Sequence, residues 1–396
     1  MRTPLIYSRF LVLIVLIFQT TGCKSPEESP QQNSNSATQE LEVKTTLMPV
    51  VIDSDMGFDD WMAILYVLKR EDVEVKAITV DCTGETGCPA GAVNATKLLV
   101  LAGKPDIPVY YGDIPAATLD YQFPAAIRSS ATAMNVPGFN DITGTSNYQT
   151  GAANALVSLA TQAGKANKPI TILSIGTATN IAQAVEQATD QELFENFAKG
   201  IQMIYKGGGA IGAIENGVLT NKNIPGNLNI PGLFTTNNTT AAWNIYANAQ
   251  AASKLFTSGL PITQVPVNLS NQVAITENSY NLLKENATSQ AAKFVVSDII
   301  TNVNDQGGFA KEELDYWDPS EVVAALNPSF INSKFQSTPV CVAINEIPFH
   351  GTTFVNGPFR EITICDFLNA TPGEITIYMG IDTAKFYSDF AAVLNQ

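Results

Sequence analysis

Beyond its first fifty residues, the sequence alternates between short apolar runs and segments with helical spacing. Residues 49–53 (PVVID) and 74–80 (EVKAITV) have the length and composition of buried strands, and residues 59–69 (DDWMAILYVLK) between them have the spacing of a helix. A helical pattern at 94–102 then precedes a third strand pattern at 107–111. Strands that alternate with helices predict an α/β fold in which a largely parallel, open sheet carries helices on both faces.

The same alternation continues toward the C-terminus. The further predicted elements are a strand at 170–175, a helix at 180–187, a strand at 201–205, helical structure over 275–303, strand-rich structure over 338–378 and a helix at 381–394. Residues 207–240 are rich in Gly and Asn and predict a long irregular segment, which in a compact domain is often functional. No internal repeat is visible, and residues 49–396 predict a single domain.

Composition restricts the chemistry that this domain can perform. The 396 residues include 22 Lys and Arg against 37 Asp and Glu, a net charge of −15, and no basic stripe is present, so a nucleic-acid partner is not expected. His350 is the only histidine in the sequence, which excludes metal sites built on several histidines and disfavours a Ser/His or Cys/His catalytic pair. Acid–base and metal chemistry must therefore come mostly from carboxylates.

The first residues predict export. Residues 10–18 (FLVLIVLIF) are an unbroken apolar run that is too short to span a bilayer but has the length of a signal-peptide core. Residues 20–23 (TTGC) resemble the cleavage box of bacterial lipoproteins, in which Cys23 would be lipidated; an ordinary secretory signal or a membrane anchor is the alternative. We therefore expect a signal segment at 1–23, a disordered polar tether at 24–48, and a periplasmic or outer-membrane-anchored lipoprotein.

Export would place the remaining cysteines in an oxidising compartment, where disulfides are permitted. Cys82, Cys88, Cys341 and Cys365 allow three pairings, of which Cys82–Cys88 and Cys341–Cys365 are the local ones. Four separate buried thiols are the alternative, and the sequence leaves both open. No pair has the CxxC spacing that is typical of a metal site.

The most distinctive motif is the octet at residues 53–60 (DSDMGFDD), in which four carboxylates follow a predicted strand and enter a predicted helix. In open α/β sheets, ligands bind at the carboxyl ends of strands. Crowded carboxylates repel one another unless a cation lies among them, and oxygen-only ligation suits a hard ion such as Ca²⁺ or Mg²⁺. Gly57 would allow the turn that brings Asp55 and Asp60 together. A solvated acidic turn is the alternative.

Two families begin with a motif of this kind. The haloacid-dehalogenase-like phosphatases have DxDx[TV], which residues 53–55 (DSD) resemble, with Ser174 as the hydroxyl that follows a later strand. However, Gly57 stands at the Thr or Val position, and Asp59 and Asp60 have no role in that motif. The nucleoside hydrolase family of the inosine–uridine-preferring type has DxDxGxDD, and the whole octet matches this signature.

The resemblance to the nucleoside hydrolases continues in register over roughly residues 49–396. The later similar segments are Asn94 with LAGKPDIPVYYG (101–112), SIGTATN (174–180), IPGN (224–227), WNIY (243–246) followed by SGLPIT (258–263), and YWDP (316–319). Residues 82–88 (CTGETGC) resemble a branch of the family found among exported bacterial members. The resemblance implies the nucleoside hydrolase fold with a Rossmann-like core. Family members are often dimers or tetramers, so a homo-oligomer is one expectation.

The resemblance implies Ca²⁺-dependent hydrolysis of the N-glycosidic bond of ribonucleosides, which releases ribose and a free base for salvage. Asp55 would be the general base and a Ca²⁺ ligand, and the other ligands would be Asp60, Asp318 and the backbone carbonyl of Ile175. The implied substrate contacts are Asp59 to the 2′-hydroxyl, Asn244 to the 3′-hydroxyl, Asn227 to the 5′-hydroxyl, and Thr83 near a position where the family has Asn. Asp53 would lie behind the metal ligands.

The sequence departs from the family pattern at two further positions. Ala242 replaces a Glu that would contact the 5′-hydroxyl, and Trp317 stands where many pyrimidine-preferring members have a leaving-group His. His350 lies in a different region and is expected to be structural. All three tryptophans lie beside candidate site residues. Trp61 is expected to belong to the core, whereas Trp317 is expected to contact the base or sugar, which would favour purines.

Two other functions compete with this interpretation. The replacements at Ala242 and Trp317 motivate a metal-dependent nucleoside or sugar receptor that has lost turnover. The phosphatase interpretation comes third, and it predicts Mg²⁺-dependent phosphate release with Asp53 as the nucleophile. The hydrolase interpretation makes Asp55 the more critical residue.

Overall fold

The structure is a computed structural model, and it describes residues 47–188, 190–311, 314–345, 347–356 and 364–396. The strands are β1 (Met48–Ser54), β2 (Val73–Val80), β3 (Val109–Tyr111), β4 (Tyr148–Thr150), β5 (Ile170–Ser174), β6 (Ile201–Gly207), β7 (Ile214–Glu215), β8 (Val218–Leu219), β9 (Ile262–Val265), β10 (Ile331–Val342), β11 (Thr353–Val355) and β12 (Gly373–Ile381). The α-helices are α1 (Phe58–Lys69), α2 (Ala90–Leu101), α3 (Ala125–Ala133), α4 (Ala152–Ala166), α5 (Thr179–Gln187), α6 (Gln191–Lys199), α7 (Trp243–Tyr246), α8 (Ala249–Phe256), α9 (Val267–Ser270), α10 (Glu277–Asn286), α11 (Gln290–Asp305), α12 (Trp317–Leu326), α13 (Ile364–Phe367) and α14 (Thr383–Leu394). Short 3₁₀ turns occupy Ala116–Tyr121, Phe309–Lys311 and Pro328–Phe330.

Within the described residues, one ten-stranded sheet has the order β11-β10-β12-β9-β6-β5-β1-β2-β3-β4. Every neighbouring pair from β12 to β4 is parallel, whereas β10 pairs antiparallel with both β12 and β11. This confirms the predicted α/β fold with a largely parallel open sheet. The chain runs outward from β1 to β4 and then returns to β5 on the other side of β1. The topological switch point, where open α/β sheets bind ligands, therefore lies between β1 and β5.

Helices cover both faces of the sheet, as the sequence predicts. Successive residues of β1 point to opposite faces. Val50 and Ile52 belong to an apolar cluster with α1 and α12, and Val51 belongs to a second cluster with α4, α5 and α8. Because both faces are buried, β1 is a continuous apolar run rather than an alternating one. The helices α1 and α12 pack together, which brings the octet next to the start of α12.

Most predicted elements are confirmed, and the differences have local causes. The strand predicted at 107–111 is shorter, because β3 has only three residues in the ladder. The helical region predicted at 275–303 is two helices, since the Ser289 side chain accepts the backbone amide of Ala292 and starts α11. Residues 207–240 are mostly irregular, as predicted, and include the short hairpin of β7 and β8.

Both local disulfides are present in the structure. Cys82 pairs with Cys88 and closes the loop after β2, and Cys341 pairs with Cys365 and links β10 to α13. Of the two alternatives that the sequence leaves open, the structure has the paired one.

The predicted signal segment, Cys23 and the predicted tether up to residue 46 lie outside the described residues. The first strand begins at Met48, close to the predicted start of the domain at residue 49. Among the described residues, no helix combines the length and the apolar character needed to cross a membrane.

Candidate active site

The octet forms the turn between β1 and α1, and the geometry of this turn brings its acidic side chains together. Met56 adopts a left-handed conformation with a φ of 64°, and Asp60 follows in the first turn of α1. The Asp60 carboxylate accepts hydrogen bonds from the Ser54 hydroxyl (2.5 Å to Oδ1) and from the backbone N–H of Gly57 (2.9 Å to Oδ2). The Asp60 side chain is also hydrogen-bonded to that of Asp55, so the predicted convergence of these two residues is confirmed.

Asp55 lies at the centre of the site and is 2% exposed. Its Oδ2 accepts the backbone amide of Glu85 at 3.0 Å, from the loop after β2. Two glycines allow neighbouring loops to approach this closely. A Cβ at Gly84 would overlap the Asp55 carboxylate, and a Cβ at Gly176, after β5, would lie 2.6 Å from the Asp55 backbone nitrogen. The loops after β1, β2 and β5 therefore meet at Asp55, at the switch point of the sheet.

The helix α12 adds a further carboxylate to the site. Asp318 lies in its first turn, and one oxygen from each of Asp59, Asp60 and Asp318 lies within 4.8 Å of the other two. Asp60 is hydrogen-bonded to Asp318 as well as to Asp55, so it stands between them. The structure thus brings together three predicted metal ligands, and it places beside them Asp59, for which the sequence predicts a sugar contact.

Ile175 and Asn244 lie next to each other at the end of β5. The backbone N–H of Ile175 donates to the carbonyl of Asp53 at 2.8 Å, which fixes the loop against β1. The carbonyl of Ile175, the predicted backbone ligand, accepts the side-chain amide of Asn244 at 2.6 Å. Gly208 permits this arrangement, because it has a φ of 84° and a Cβ there would lie 2.7 Å from the Asn244 Cβ.

Asn227 fixes the start of α7, the short helix that carries Asn244. Its Oδ1 accepts the backbone amide of Trp243 at 3.0 Å, so the two asparagines predicted to contact the sugar belong to one local unit. Ala242, at the position of the missing Glu, is buried in an apolar cluster that includes the second disulfide. The surroundings of residue 242 are therefore apolar.

Burial makes the carboxyl groups of the site hard to ionise without a cation. Burial, reinforced by neighbouring carboxylates, raises the pKa of Asp53 and of Asp59 to about 7. The same causes raise the pKa of Asp55 and of Asp318 well above the usual value. Among the described residues, Oδ2 of Asp53 has no hydrogen-bond partner. Buried, mutually repelling oxygen donors fit a hard divalent cation, which offsets their charge.

Two charged residues of the site have no motif that identifies them in the sequence. Lys206, near the end of β6, is fully buried, and its ammonium donates to the carbonyl of Gly176 at 2.7 Å. Burial lowers the pKa of Lys206, while Glu321 and other nearby carboxylates oppose this shift. Glu321, one turn after Asp318 in α12, accepts the backbone amide of Gly208 at 2.9 Å. Isolated charges of this kind are indistinguishable in the sequence from solvent-exposed ones.

Asp53 lies under the octet, where the resemblance places it. Its Oδ1 accepts the Thr79 hydroxyl from β2 at 2.6 Å and the Asn180 side-chain amide from α5 at 2.8 Å. These contacts connect β1 to β2 on one side and to α5 on the other. Asn180, which belongs to the SIGTATN segment, therefore helps to hold Asp53 in place.

Thr83 lies in a buried network rather than toward the open side of the site. Its hydroxyl donates to Asp81 at 2.5 Å and lies 2.7 Å from the hydroxyl of Thr177 and 2.8 Å from that of Thr179. Asp81 is a buried carboxylate that stands apart from the octet in the sequence, so the motif does not reveal it. This geometry commits the Thr83 hydroxyl to protein partners and does not favour the predicted substrate contact.

The three tryptophans have different surroundings. Trp61 belongs to the core, as predicted, and its indole N–H donates to the carbonyl of Met56 at 2.9 Å. Trp243 is buried in an aromatic cluster beside α7. Trp317 is only half-buried, meets Phe58 edge-on with ring centroids 6.1 Å apart, and has an indole nitrogen without a hydrogen-bond partner in the described part of the chain. Among the described residues, the indole nitrogen of Trp243 also lacks a hydrogen-bond partner, so Trp317 differs from the other two tryptophans in its exposure.

His350 is held by the protein on all sides. Its ring nitrogens face the carbonyl oxygens of Ile344 and Tyr246, and its ring stacks on Tyr121 with centroids 3.7 Å apart. Burial lowers the pKa of this imidazole. These contacts agree with the structural role that the sequence predicts.

The fold and the site define a class of protein that comparison with known proteins identifies. The family model described as inosine-uridine preferring nucleoside hydrolase matches residues 50–388, and the chain belongs to this family. It is therefore a nucleoside hydrolase, an enzyme that acts on the N-glycosyl bond of ribonucleosides.

Individual relatives cover most of the chain. A protein named pyrimidine-specific ribonucleoside hydrolase RihA, from Shewanella sp. (strain ANA-3), is 26% identical over 346 residues, which are 85% of this chain and 93% of the relative. The structure of a plant nucleoside hydrolase, the PpNRh1 enzyme, is 26% identical with a TM-score of 0.67, over 88% of this chain and 99% of that one. A purine-preferring ribonucleoside hydrolase from Gardnerella vaginalis has the same fold, with 21% identity, a TM-score of 0.63 and coverage of 88% and 98%.

We predict that the stability of the metal-free protein falls as the pH rises. The carboxyl groups of Asp53 and Asp59 have raised pKa values in the folded state, so folding retains protons that the unfolded chain releases. The resulting stabilisation is complete below about pH 4 and is lost as the pH passes about 7. Thermal unfolding in chelator between about pH 5 and about pH 8 measures the effect, and a Tm that stays constant or rises would contradict it.

A divalent cation should reverse this trend at the alkaline end, because it would bind the ionised carboxylates of the folded state only. The increase in Tm on adding Ca²⁺ should be smaller in Asp318→Asn than in the unsubstituted protein. The control is Asp72→Asn, which removes a carboxylate that pairs with Arg70 on the surface and should leave the Ca²⁺ response unchanged.

Proposed function

We propose that this nucleoside hydrolase depends on Ca²⁺ and splits its substrates with water into free ribose and base. The observation that carries the proposal is the cluster of buried carboxylates around Asp60. Oxygens of Asp59, Asp60 and Asp318 lie within 4.8 Å of one another, and Asp55 is hydrogen-bonded to Asp60. Donors that are all oxygens are the set that Ca²⁺ prefers.

The proposed ligands of the cation are Asp55, Asp60, Asp318 and the backbone carbonyl of Ile175. When bound, the cation would lower the pKa of a water molecule and hold the vicinal hydroxyls of the sugar. The carboxylates are held in place by hydrogen bonds from Ser54 and from backbone amides, so little reorganisation is needed when a cation binds.

We assign Asp55 as the general base that takes a proton from the attacking water. An ionised carboxylate can accept this proton, and the Glu85 amide holds the Asp55 side chain in one orientation. As the water oxygen approaches C1′, the C1′–N bond lengthens and the ribose acquires oxocarbenium character. Asp59, Asn244 and Asn227 would bind the ribose hydroxyls, so that binding energy away from C1′ is used to position the reacting atoms.

We predict that Asp55→Asn lowers kcat for free-ribose release by at least about 100-fold, because the amide cannot accept the proton. Asp53→Asn should lower kcat much less, since Asp53 accepts hydrogen bonds from Thr79 and Asn180 behind the ligands. A reducing-sugar assay of both variants on inosine and uridine measures the difference. An Asp55→Asn variant that keeps its activity, or a greater loss of kcat in Asp53→Asn, would contradict the assignment. A greater loss in Asp53→Asn, together with phosphate release by the wild-type protein, would favour phosphatase chemistry.

One observation favours a second candidate function, a nucleoside-binding or sugar-binding protein without turnover. Ala242 stands where the resemblance places a 5′-hydroxyl contact, and its surroundings are apolar. This function predicts that nucleosides raise the Tm of the Ca²⁺-loaded protein while no ribose is released. Release of ribose in the same samples would exclude it.

We propose a preference for purine nucleosides on the basis of Trp317, which is half-buried next to Asp318 and could stack on a base. The RihA relative is named pyrimidine-specific, so the comparison does not support this choice. Stacking on an aromatic face contributes about 1–3 kcal/mol and increases with the area of the base.

Trp317→Ala should therefore lower kcat/KM for inosine relative to uridine by about 10-fold, and Trp317→Phe should retain most of the ratio. Steady-state kinetics on the two nucleosides give the ratio. A wild-type protein that prefers uridine, or an alanine variant that loses both substrates equally, would overturn the purine preference.

We further propose that the chain is exported and lipid-anchored at Cys23, which rests on residues 10–18 and 20–23 of the sequence. Expression in a bacterial host with an alkyne-labelled fatty acid should label the wild-type chain, and Cys23→Ser should remain unlabelled. An unlabelled wild-type chain would contradict the anchor and leave an ordinary secretory signal or a membrane segment.

A further inference from the structure

A positively charged side chain, Arg128, lies close to the proposed general base Asp55 and has no part in the mechanism described above. Arg128, in α3, is half-buried, and its Nη1 donates a hydrogen bond to the backbone carbonyl of Gly84. Burial lowers the pKa of Arg128, while the nearby carboxyl groups of Asp55 and Glu85 oppose this shift. Within the described parts of the chain, Arg128 belongs to none of the ion pairs. Its guanidinium group therefore has donors that no carboxylate occupies.

The contacts of Gly84 and Glu85 place this guanidinium next to Asp55. A Cβ at Gly84 would overlap the Asp55 carboxylate, so the carbonyl that binds Arg128 belongs to a residue packed directly on the general base. Glu85 follows Gly84 in the loop, and its backbone amide donates a hydrogen bond to Asp55. The Glu85 carboxylate lies against Gly57, since a Cβ at Gly57 would be only 2.5 Å from Oε2 of Glu85. Arg128 and Glu85 are both partly exposed, whereas Asp55 is buried, and among the described residues Arg128 and Glu85 form no ion pair with each other.

Hydrolysis of an N-glycosidic bond places negative charge on the departing base, in addition to the positive charge that develops on the ribose. The electrons of the broken bond remain on the base, which is a poor leaving group unless it is protonated or paired with a cation. Trp317 precedes Asp318 and has no proton to transfer at neutral pH. His350, the only histidine, has both ring nitrogens engaged with backbone carbonyls. The chain therefore needs another group to neutralise the departing base.

We propose that Arg128 contacts the departing base and neutralises its negative charge, an assignment that rests on the proposed nucleoside hydrolysis. A guanidinium group stays charged throughout the pH range of the enzyme and presents planar N–H donors. The charge on the departing base is shared by the oxygen beside the glycosidic nitrogen in pyrimidines and by the ring nitrogen beside it in purines. Both are acceptors for such donors, so one arginine can serve both classes of base.

The step balances without any other reactant. The electron pair of the C1′–N bond passes to the base, the water oxygen bonds to C1′, and the proton of the water passes to Asp55. The base anion, paired with Arg128, then takes a proton from solvent, and Asp55 returns one to solvent. The net reaction is the addition of one water molecule across the C1′–N bond.

The test compares substrates whose leaving groups differ in basicity. Nucleosides release a basic anion, whereas p-nitrophenyl β-ribofuranoside releases a weakly basic phenolate that needs little neutralisation. In the full-length, Ca²⁺-loaded protein, Arg128→Met should lower kcat/KM for inosine and uridine by about 100-fold and for the nitrophenyl riboside by less than about 3-fold. Arg128→Lys, which keeps the charge but not the planar fork, should recover part of the loss.

Two controls separate this role from a structural one. Lys104→Met removes a half-buried cation between α2 and β3 and should leave both kinds of substrate unaffected. The inhibition constant of free ribose should be the same in Arg128→Met as in the wild type, because the ribose contacts are intact. Equal losses on both kinds of substrate, or no loss on either, would overturn the role of Arg128 and leave the proposed function standing. A wild-type protein that cleaves neither kind of substrate would overturn both.

Discussion

The mutual repulsion of buried carboxylates at the end of β1 is the constraint on which the rest of this structure depends. Oxygens of Asp59, Asp60 and Asp318 lie within 4.8 Å of one another, Asp55 is hydrogen-bonded to Asp60, and all four side chains are nearly excluded from water. Such groups persist in a folded protein only when they are protonated, hydrogen-bonded or paired with positive charge. Asp60 accepts hydrogen bonds from its own turn and stands between two of the others, and the buried ammonium of Lys206 lies behind them. A hard cation would complete the compensation.

The parallel sheet explains why residues from distant segments reach this cluster. All the carboxyl ends of parallel strands lie at one edge, so the loops after β1, β2, β5 and β6 converge there. Close approach then requires backbone without side chains, which Gly84, Gly176 and Gly208 supply against Asp55 and Asn244. The same convergence places the Gly84 carbonyl, which accepts a hydrogen bond from Arg128, in a loop packed on Asp55.

The sequence was sufficient for the strands β1, β2, β5 and β6 and for the octet, because local patterns identify them. The three-residue strand β4 was not predicted. Continuous apolar runs identify strands buried on both faces, and four acids in eight residues stand out from any background. Asp81, Lys206 and Arg128 could not be found in this way, since each is a single charge that contacts a distant segment, at Thr177, Gly176 and Gly84 respectively. For Thr83, the family resemblance predicts a position near the substrate, but the packing of the folded chain directs its hydroxyl to Asp81.

If the carboxylate cluster binds a cation that hydrolysis needs, removal of the cation should stop the cleavage of ribonucleosides. The most direct measurement is the release of free ribose from a panel of nucleosides by the purified protein, before and after chelation and again after Ca²⁺ is restored. Chelator should abolish the release, and Ca²⁺ should restore it. Release that is unaffected by chelator, or no release from any nucleoside in the presence of Ca²⁺, would contradict this expectation.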